Sequence, residues 1–405
     1  MNLIKFNLIH QILFYVSFIQ IIHSKNPRIF SINGFSYIGK INIECIFGKS
    51  EHITFLDVQL ETPFTWISQK HFKENSSYIK SLIPKSNNLI TINGNLHNGS
   101  LFSDTLTLFS YPLDRVPLKE NRIDITFNNY YFYYFRNVFT GLDSISLAYK
   151  FNNNNFSIVH QLFYNNIIDN KQFSISRQGT FTSYAFTFGG IPDEISNNKY
   201  KYKCNVLTYI KDSSWNCKLN SIYFFDNNNN KIVYQHTNDL TIVSFQTNED
   251  IIYSSESFFT FVTEHILKDQ FIKGDCKHEN YTVFQRVTCI CSSLNTIPNL
   301  YIVIDNIHYI LDYKMLFSNL LGVCVLLIKP RKEHEHVLRI GSTFFNMYST
   351  LFDYDLNTIT IYTEKQLLTT EVINTNLNII KFIMNIISFF LIIDSFLLST
   401  ILYMN

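Results

Sequence analysis

The sequence predicts a mostly β protein made of two β lobes, and three observations predict it. Aromatic residues make up 16% of the 405 residues, with 38 Phe and 25 Tyr, and such side chains suit pleated, half-buried surfaces. Short apolar or aromatic runs between polar turns recur from Phe35 to Ile361, and few stretches carry a helical period. A polar, turn-rich break, DEISNNKYKYK at 193–203, divides the chain into halves of similar length. The halves echo one another. ITFLDVQLETPFTWI (53–67) and LTIVSFQTNEDIIYSS (240–255) each run from an apolar strand through a polar turn into more apolar residues, as a duplicated lobe would.

The elements follow in order. Residues 1–24 place Lys5 before an apolar stretch and end on His23-Ser24, which fits a secretory signal peptide. Strands are expected at 41–46, 53–56, 89–92, 101–108, 123–127, 130–135 and 181–188. Others are expected at 222–225, 240–243, 300–304, 323–328 and 358–362. Helical patterning is confined to 157–164, 255–267 and, weakly, 343–347. The asparagine runs 152–155 and 227–230 read as loop insertions of the kind malaria-parasite proteins carry. Residues 382–403, FIMNIISFFLIIDSFLLSTILY, are long enough to span a bilayer. Asp394 would cost about 2.5–3.5 kcal/mol at the centre of such a helix. The same segment also fits a removable glycolipid-anchor signal, but no clean run of small residues marks a cleavage site. The expected organisation is a signal peptide at 1–24, lobes at 25–198 and 199–366, a juxtamembrane linker at 367–381 and an anchor at 382–403.

A net charge of +1 gives no electrostatic footprint for nucleic acid. A secretory route makes the seven cysteines disulfide formers, with one left over. Glycosylation sequons at Asn75, Asn98, Asn155 and Asn280 suit a luminal or extracellular face. Cys289-Ile290-Cys291 has no companion Cys-x-x-Cys or His pair at zinc spacing, and His334 and His336 sit in a charged loop. Neither a metal nor a cofactor is expected.

One segment carries a specific resemblance. VLRIGSTFFNMYSTLFDYDLNTITIY (337–362) places Gly341, Phe344, Tyr348, Phe352 and Asp353 as the late segment of pepsin-like aspartic proteases does. Gln161-Leu162, then IIDNKQFSI (167–175) and FTFGGIPD (186–193), resemble the family's middle. Trp215 opens the second lobe, Asn98–Leu101 with Asp104-Thr105 resembles the strand behind the flap, and FSYIGKINI (35–43) the opening strand. The chain therefore resembles a pepsin-like aspartic protease, plasmepsin-like in its asparagine-rich setting, over roughly residues 34–364 in the family's order. The resemblance implies a bilobal acid-protease fold around a cleft. It also implies a disulfide joining Cys324 to Cys289 or Cys291. Cys204–Cys217 and Cys276–Cys289 are further candidate pairs, with Cys45 left over.

The implied chemistry needs two carboxylates sharing a proton, each from an Asp-Thr/Ser-Gly turn, and a Tyr on a flap. Counting back seven from Trp66, or forward eleven from Gly48, places the first Asp position on Gln59, with Leu60-Glu61 for Thr-Gly. In the second lobe Ser244 takes the Asp position, Phe245 the hydroxyl and Gln246 the glycine, while Thr247 survives. Ile92 or Asn93 stands for the flap Tyr, and Ser144–Leu147 for the supporting Gly-Ile-Leu-Gly. Asp57 is the nearest acid. The expected function is a membrane-anchored, catalytically inactive relative acting as a binding or scaffold protein of the secretory pathway or cell surface, either holding an extended peptide or protein in its cleft or serving as a scaffold or adhesion subunit, with its lobes luminal or extracellular. The alternatives are an active endopeptidase with an atypical dyad that includes Asp57, and a cysteine-bonded parasite surface antigen.

Overall fold

The computed structural model describes residues 28–369 apart from 38–39, 49–52, 63, 69–86, 93–94, 111–122, 136–142, 150–156, 179–182, 198–199, 211–212, 236–239, 248, 282–283, 321 and 332–335. The expected signal peptide, the 382–403 anchor, Asn75, Asn93, Asn155 and His334 lie outside the described residues. Among the described residues no helix is long and apolar enough to cross a membrane.

The protein is mostly β. A 13-stranded sheet carries the first half of the chain and recruits strands from the second. Its order places the C-terminal strands Thr358–Thr363 and Ser349–Asp353 beside Gln172–Gln178, Ser183–Phe188 and Phe30–Tyr37. The polypeptide therefore does not divide cleanly at its midpoint, because its last strands close a sheet begun by its first. An 8-stranded sheet and a 4-stranded sheet build the remainder of the second lobe. The 4-stranded sheet contains Cys276–Tyr281, Phe284–Ile290, Val323–Leu326 and Phe317–Leu320.

Most of the long expected strands are present with extended ends. The 123–127 and 130–135 runs form one strand, Ile123–Phe135. Asn129 adopts a φ of 58°, and the register with the neighbouring strand shifts between Asp104 and Leu106. Asn tolerates that left-handed conformation, so the polar pair that looked like a turn makes an irregularity within one strand. The 323–328 run splits instead, into Val323–Leu326 and Ile328–Pro330, the latter paired with Ile252–Ser254.

The helix starts follow from capping. The Ser157 side chain accepts from the His160 N–H ahead of Ile158–Tyr164, and that of Ser255 accepts from Phe258 N–H ahead of Glu256–Phe261. The 255–267 pattern does not continue as one α-helix, because Val262–Ile266 is a π-helical turn. The Thr263 hydroxyl lies within bonding distance of the Phe259 and Thr260 carbonyls, a local competition with the helical ladder. The weak 343–347 pattern is a 3₁₀ turn, Ser342–Asn346.

Three disulfides form: Cys204–Cys217, Cys276–Cys289 and Cys291–Cys324. Cys291 rather than Cys289 therefore reaches Cys324. Cys45 is free and buried, and burial raises its thiol pKa, which keeps it protonated and unreactive.

The core beneath the sheet junction is aromatic. Trp215 is fully buried and packs against Tyr149, Phe173, Phe352 and Tyr354. Its indole N–H donates to the Leu147 carbonyl at 2.8 Å, and the Tyr354 hydroxyl donates to the same oxygen at 3.0 Å. One first-lobe carbonyl thus anchors two second-half rings. Trp215→Ala is expected to destabilise the fold by about 3–5 kcal/mol, since a large cavity opens and a bonding partner is lost. Urea unfolding followed by circular dichroism checks this, and Trp215→Phe is expected to cost less.

Candidate functional site

The candidate site lies where the first lobe's Thr54–Gln59 strand meets the second lobe's Ile242–Phe245 strand. Each strand pairs in parallel with a short partner. Gln59 sits opposite Ser146, and Phe245 opposite Ile340, with the Gln246 N–H donating to the Ile340 carbonyl at 3.0 Å. These are the two turns from which the family's carboxylates would project.

A buried contact joins the turns. The Thr247 hydroxyl donates to the Val58 carbonyl at 2.5 Å, and the Ile41 N–H donates to the Thr247 carbonyl at 3.0 Å. Thr247 is fully buried. The hydroxyl that crosses between the lobes therefore belongs to Thr247. The residue immediately before it is Gln246, as Gln59 is the residue immediately after Val58. Ser244 lies two residues earlier, within the strand, in register with Arg339 and Asn216. The sequence reading ended that strand at its apolar pair, Ile242-Val243, but the strand runs on through Phe245.

The first turn is held by hydroxyls. The Thr62 hydroxyl donates to the Gln59 side-chain oxygen. The Ser146 hydroxyl donates to the Thr62 carbonyl at 2.6 Å, and the Ser146 N–H donates to Thr65 Oγ1 at 3.1 Å. In the second turn, the Gln246 amide N–H donates to the Ile251 carbonyl at 2.9 Å. Leu60, which follows Gln59, is fully buried. Gly341 has a clear local cause. A Cβ there would sit 2.5–2.7 Å from the backbone of Glu249, Asp250 and Ile251, so this strand end must be glycine for the turn to lie on it.

Every nearby acid is occupied or withdrawn. Glu61 forms an ion pair with Arg339 from the opposite lobe. Glu249 accepts from the Tyr253 hydroxyl, and Arg331 Nη2 donates to the same hydroxyl at 3.1 Å. Asp57 is 1% exposed and holds Lys40 at 3.1 Å. Burial pushes its carboxyl pKa up, partly offset by Lys40. Burial likewise raises Asp250.

Ile92 ends a hairpin strand, Asn87–Ile92, that pairs with the 16-residue strand Asn95–Ser110. Gly99 on it faces the Phe135 ring, which a Cβ would strike at 2.4 Å. Two grooves lined by the Glu256–Phe261 helix and the π-helical turn after it have volumes of about 610 and 510 Å³. They share Glu256, Thr260 and Glu264 and converge no set of catalytic groups. Among the described residues no cluster of His, Cys, Asp and Glu could hold a metal ion.

The model of the eukaryotic aspartyl protease family matches residues 69–363. The chain belongs to that family. The match begins beyond Gln59 and Trp66, so the first turn lies outside it. Basic 7S globulin from soybean superposes with a TM-score of 0.62 at 13% identity, covering 83% of this chain and 95% of that one. Conglutin gamma from lupine seeds gives 0.61 at 13% identity, with 83% and 95% covered. The aspartic proteinase from Irpex lacteus gives 0.60 at 12% identity, with 83% and 97% covered. At such identities these likenesses establish the fold. No curated protein matches the sequence.

Two outcomes follow from the electrostatics. The raised Asp57 pKa means the folded state binds a proton more tightly than the unfolded chain, whose ordinary value is 3.8. This group's contribution therefore falls as pH rises through the window above 3.8. Burial lowers His160 to about 4, which acts oppositely, because the folded state resists protonation between 6.5 and about 4. Subtracting the stability–pH profile of Asp57→Asn from that of the natural chain isolates the first effect, and the difference is expected to decline with rising pH. A Glu61→Gln/Arg339→Gln double-mutant cycle, followed by urea unfolding, is expected to return a favourable coupling of about 0.5–3 kcal/mol.

Proposed function

We propose that this protein is a catalytically inactive member of the aspartyl protease family that holds an extended peptide or protein segment between its lobes. One observation carries the reading: the residues beside the cross-lobe Thr247–Val58 contact are Gln59 and Gln246. We assign the two carboxylate positions to them, with Gln246 replacing Ser244 in the assignment. A carboxamide cannot take up the proton that activates water, and two neutral groups cannot share one. Glu61 strengthens the argument. It stands in the glycine's place and spends its charge on Arg339.

Binding remains available to such a site. A groove beneath a hairpin can hold an extended strand through backbone hydrogen bonds, which need no dyad. The three disulfides and the sequons support a secretory route with the lobes luminal or extracellular. The 382–403 segment is our proposed anchor there, as a transmembrane helix or a glycolipid signal.

Burial, the Lys40 contact and a raised pKa make Asp57 the residue on which an atypical dyad would have to rest. The purified protein is expected to leave a peptide library uncut between about pH 2 and 7, which includes the acidic range in which two carboxylates share one proton. Mass spectrometry of the library provides the readout. Pepstatin-sensitive cleavage that vanishes in Asp57→Ala would overturn the inactive reading.

A further inference from the structure

We infer that an ordered water molecule is built into the first lobe, in a site formed by Asn42, Asp57 and Ser144. The three are direct register partners on adjacent strands, with Asn42 opposite Asp57 and Asp57 opposite Ser144. Such partners project from one face of a sheet with Cβ atoms about 4.5–5.5 Å apart. Each is 1% exposed or less. Each also carries one buried polar atom with no bonding partner: Asn42 Oδ1, Asp57 Oδ1 and Ser144 Oγ. The other polar atoms of the acid and the amide are engaged. Asn42 Nδ2 donates to the Lys40 carbonyl at 3.2 Å, and Asp57 Oδ2 accepts from Lys40 Nζ at 3.1 Å. Trp66, which bridges to Ser144 on the next strand, also has a buried, unpartnered indole N–H.

Orphaned polar groups this deeply buried are rare, and several together in one rung call for a shared partner. Two of the three open atoms accept only, and the third is a hydroxyl. The missing group must therefore donate at least twice, and it can accept once from Ser144. Water meets that pattern, and its two bonds can bridge groups that make no direct bond to one another. A cation fits less well, because Lys40 already balances the Asp57 charge.

The rung adjoins the lobe junction. Ile41, beside Asn42, and Val58, beside Asp57, both bond to Thr247. The water is therefore a positioning element for the strand pair that presents Gln59, and this assignment does not depend on whether the cleft is catalytic.

A crystal structure of the full chain at a resolution that shows ordered solvent tests the site. Density is expected at about 2.6–3.2 Å from at least two of the three open atoms. Direct bonds among the side chains, or an empty rung, would overturn the inference. In solution, oxygen-17 relaxation dispersion counts long-lived internal waters. Ser144→Val, which fills the site with a methyl group, is expected to lose one, and Asn42→Leu does the same if the first variant fails to fold. An unchanged count in either folded variant would also overturn it.

Discussion

The arrangement of the candidate site depends on one buried contact, the bond from the Thr247 hydroxyl to the Val58 carbonyl. It joins turns 189 residues apart in sequence. A neutral hydrogen bond of this kind adds only about 0.5–1.5 kcal/mol, but leaving either group buried and unpaired would cost more. Its value is therefore positional. With the Ile41–Thr247 bond beside it, it fixes which residues of the two turns face each other. Once Thr247 is placed, Gln246 and Gln59 are placed as well.

The contact is one-sided. A symmetric pair of lobes would answer the Thr247 hydroxyl with a second one from the first turn, but Leu60 stands there and offers none. What crosses the lobes on that side is the Glu61–Arg339 ion pair. Such a pair is charged, only partly exposed at 20% and 24% for its two side chains, and more directional than an aliphatic contact. It begins in the turn that follows Gln59. The same residue thus adds cohesion between the lobes and fills space a narrow turn would leave open.

Much of the architecture was legible in the sequence because it is written in large residues. Phe344, Tyr348, Phe352 and Trp215 announce the late segment and the second lobe, and all are buried in one aromatic core. The cysteine pairing was legible too, apart from the choice between Cys289 and Cys291 as the partner of Cys324. The short strands were not. Trp66–Ser68 and Ser144–Ser146 are three residues each, buried at every position, and carry no alternation to read. The extent of the second strand was not legible for a related reason. Ile242-Val243 looks like the end of a strand, and only the tertiary contact of Thr247 shows that the chain runs on. The ion pair of Glu61 was invisible, since its partner lies 278 residues away. Asp57 drew attention as an acid within an apolar strand, yet its surroundings are a sheet interior.

The frame and the floor of this fold are held by different residues. The frame rests on the stacked Phe173–Phe352 pair, on Trp215 and on the strands that close the central sheet. None of these touches a proton-transfer group. The floor needs only two tight turns and a junction between them. Gly341 secures the geometry of one turn, and Thr62 and Ser146 that of the other, without any carboxylate. The floor is more than a set of generic polar residues. It carries a charged pair that spans the lobes and a carboxamide on each side of the joint, an arrangement suited to keeping the lobes in register around whatever lies between them.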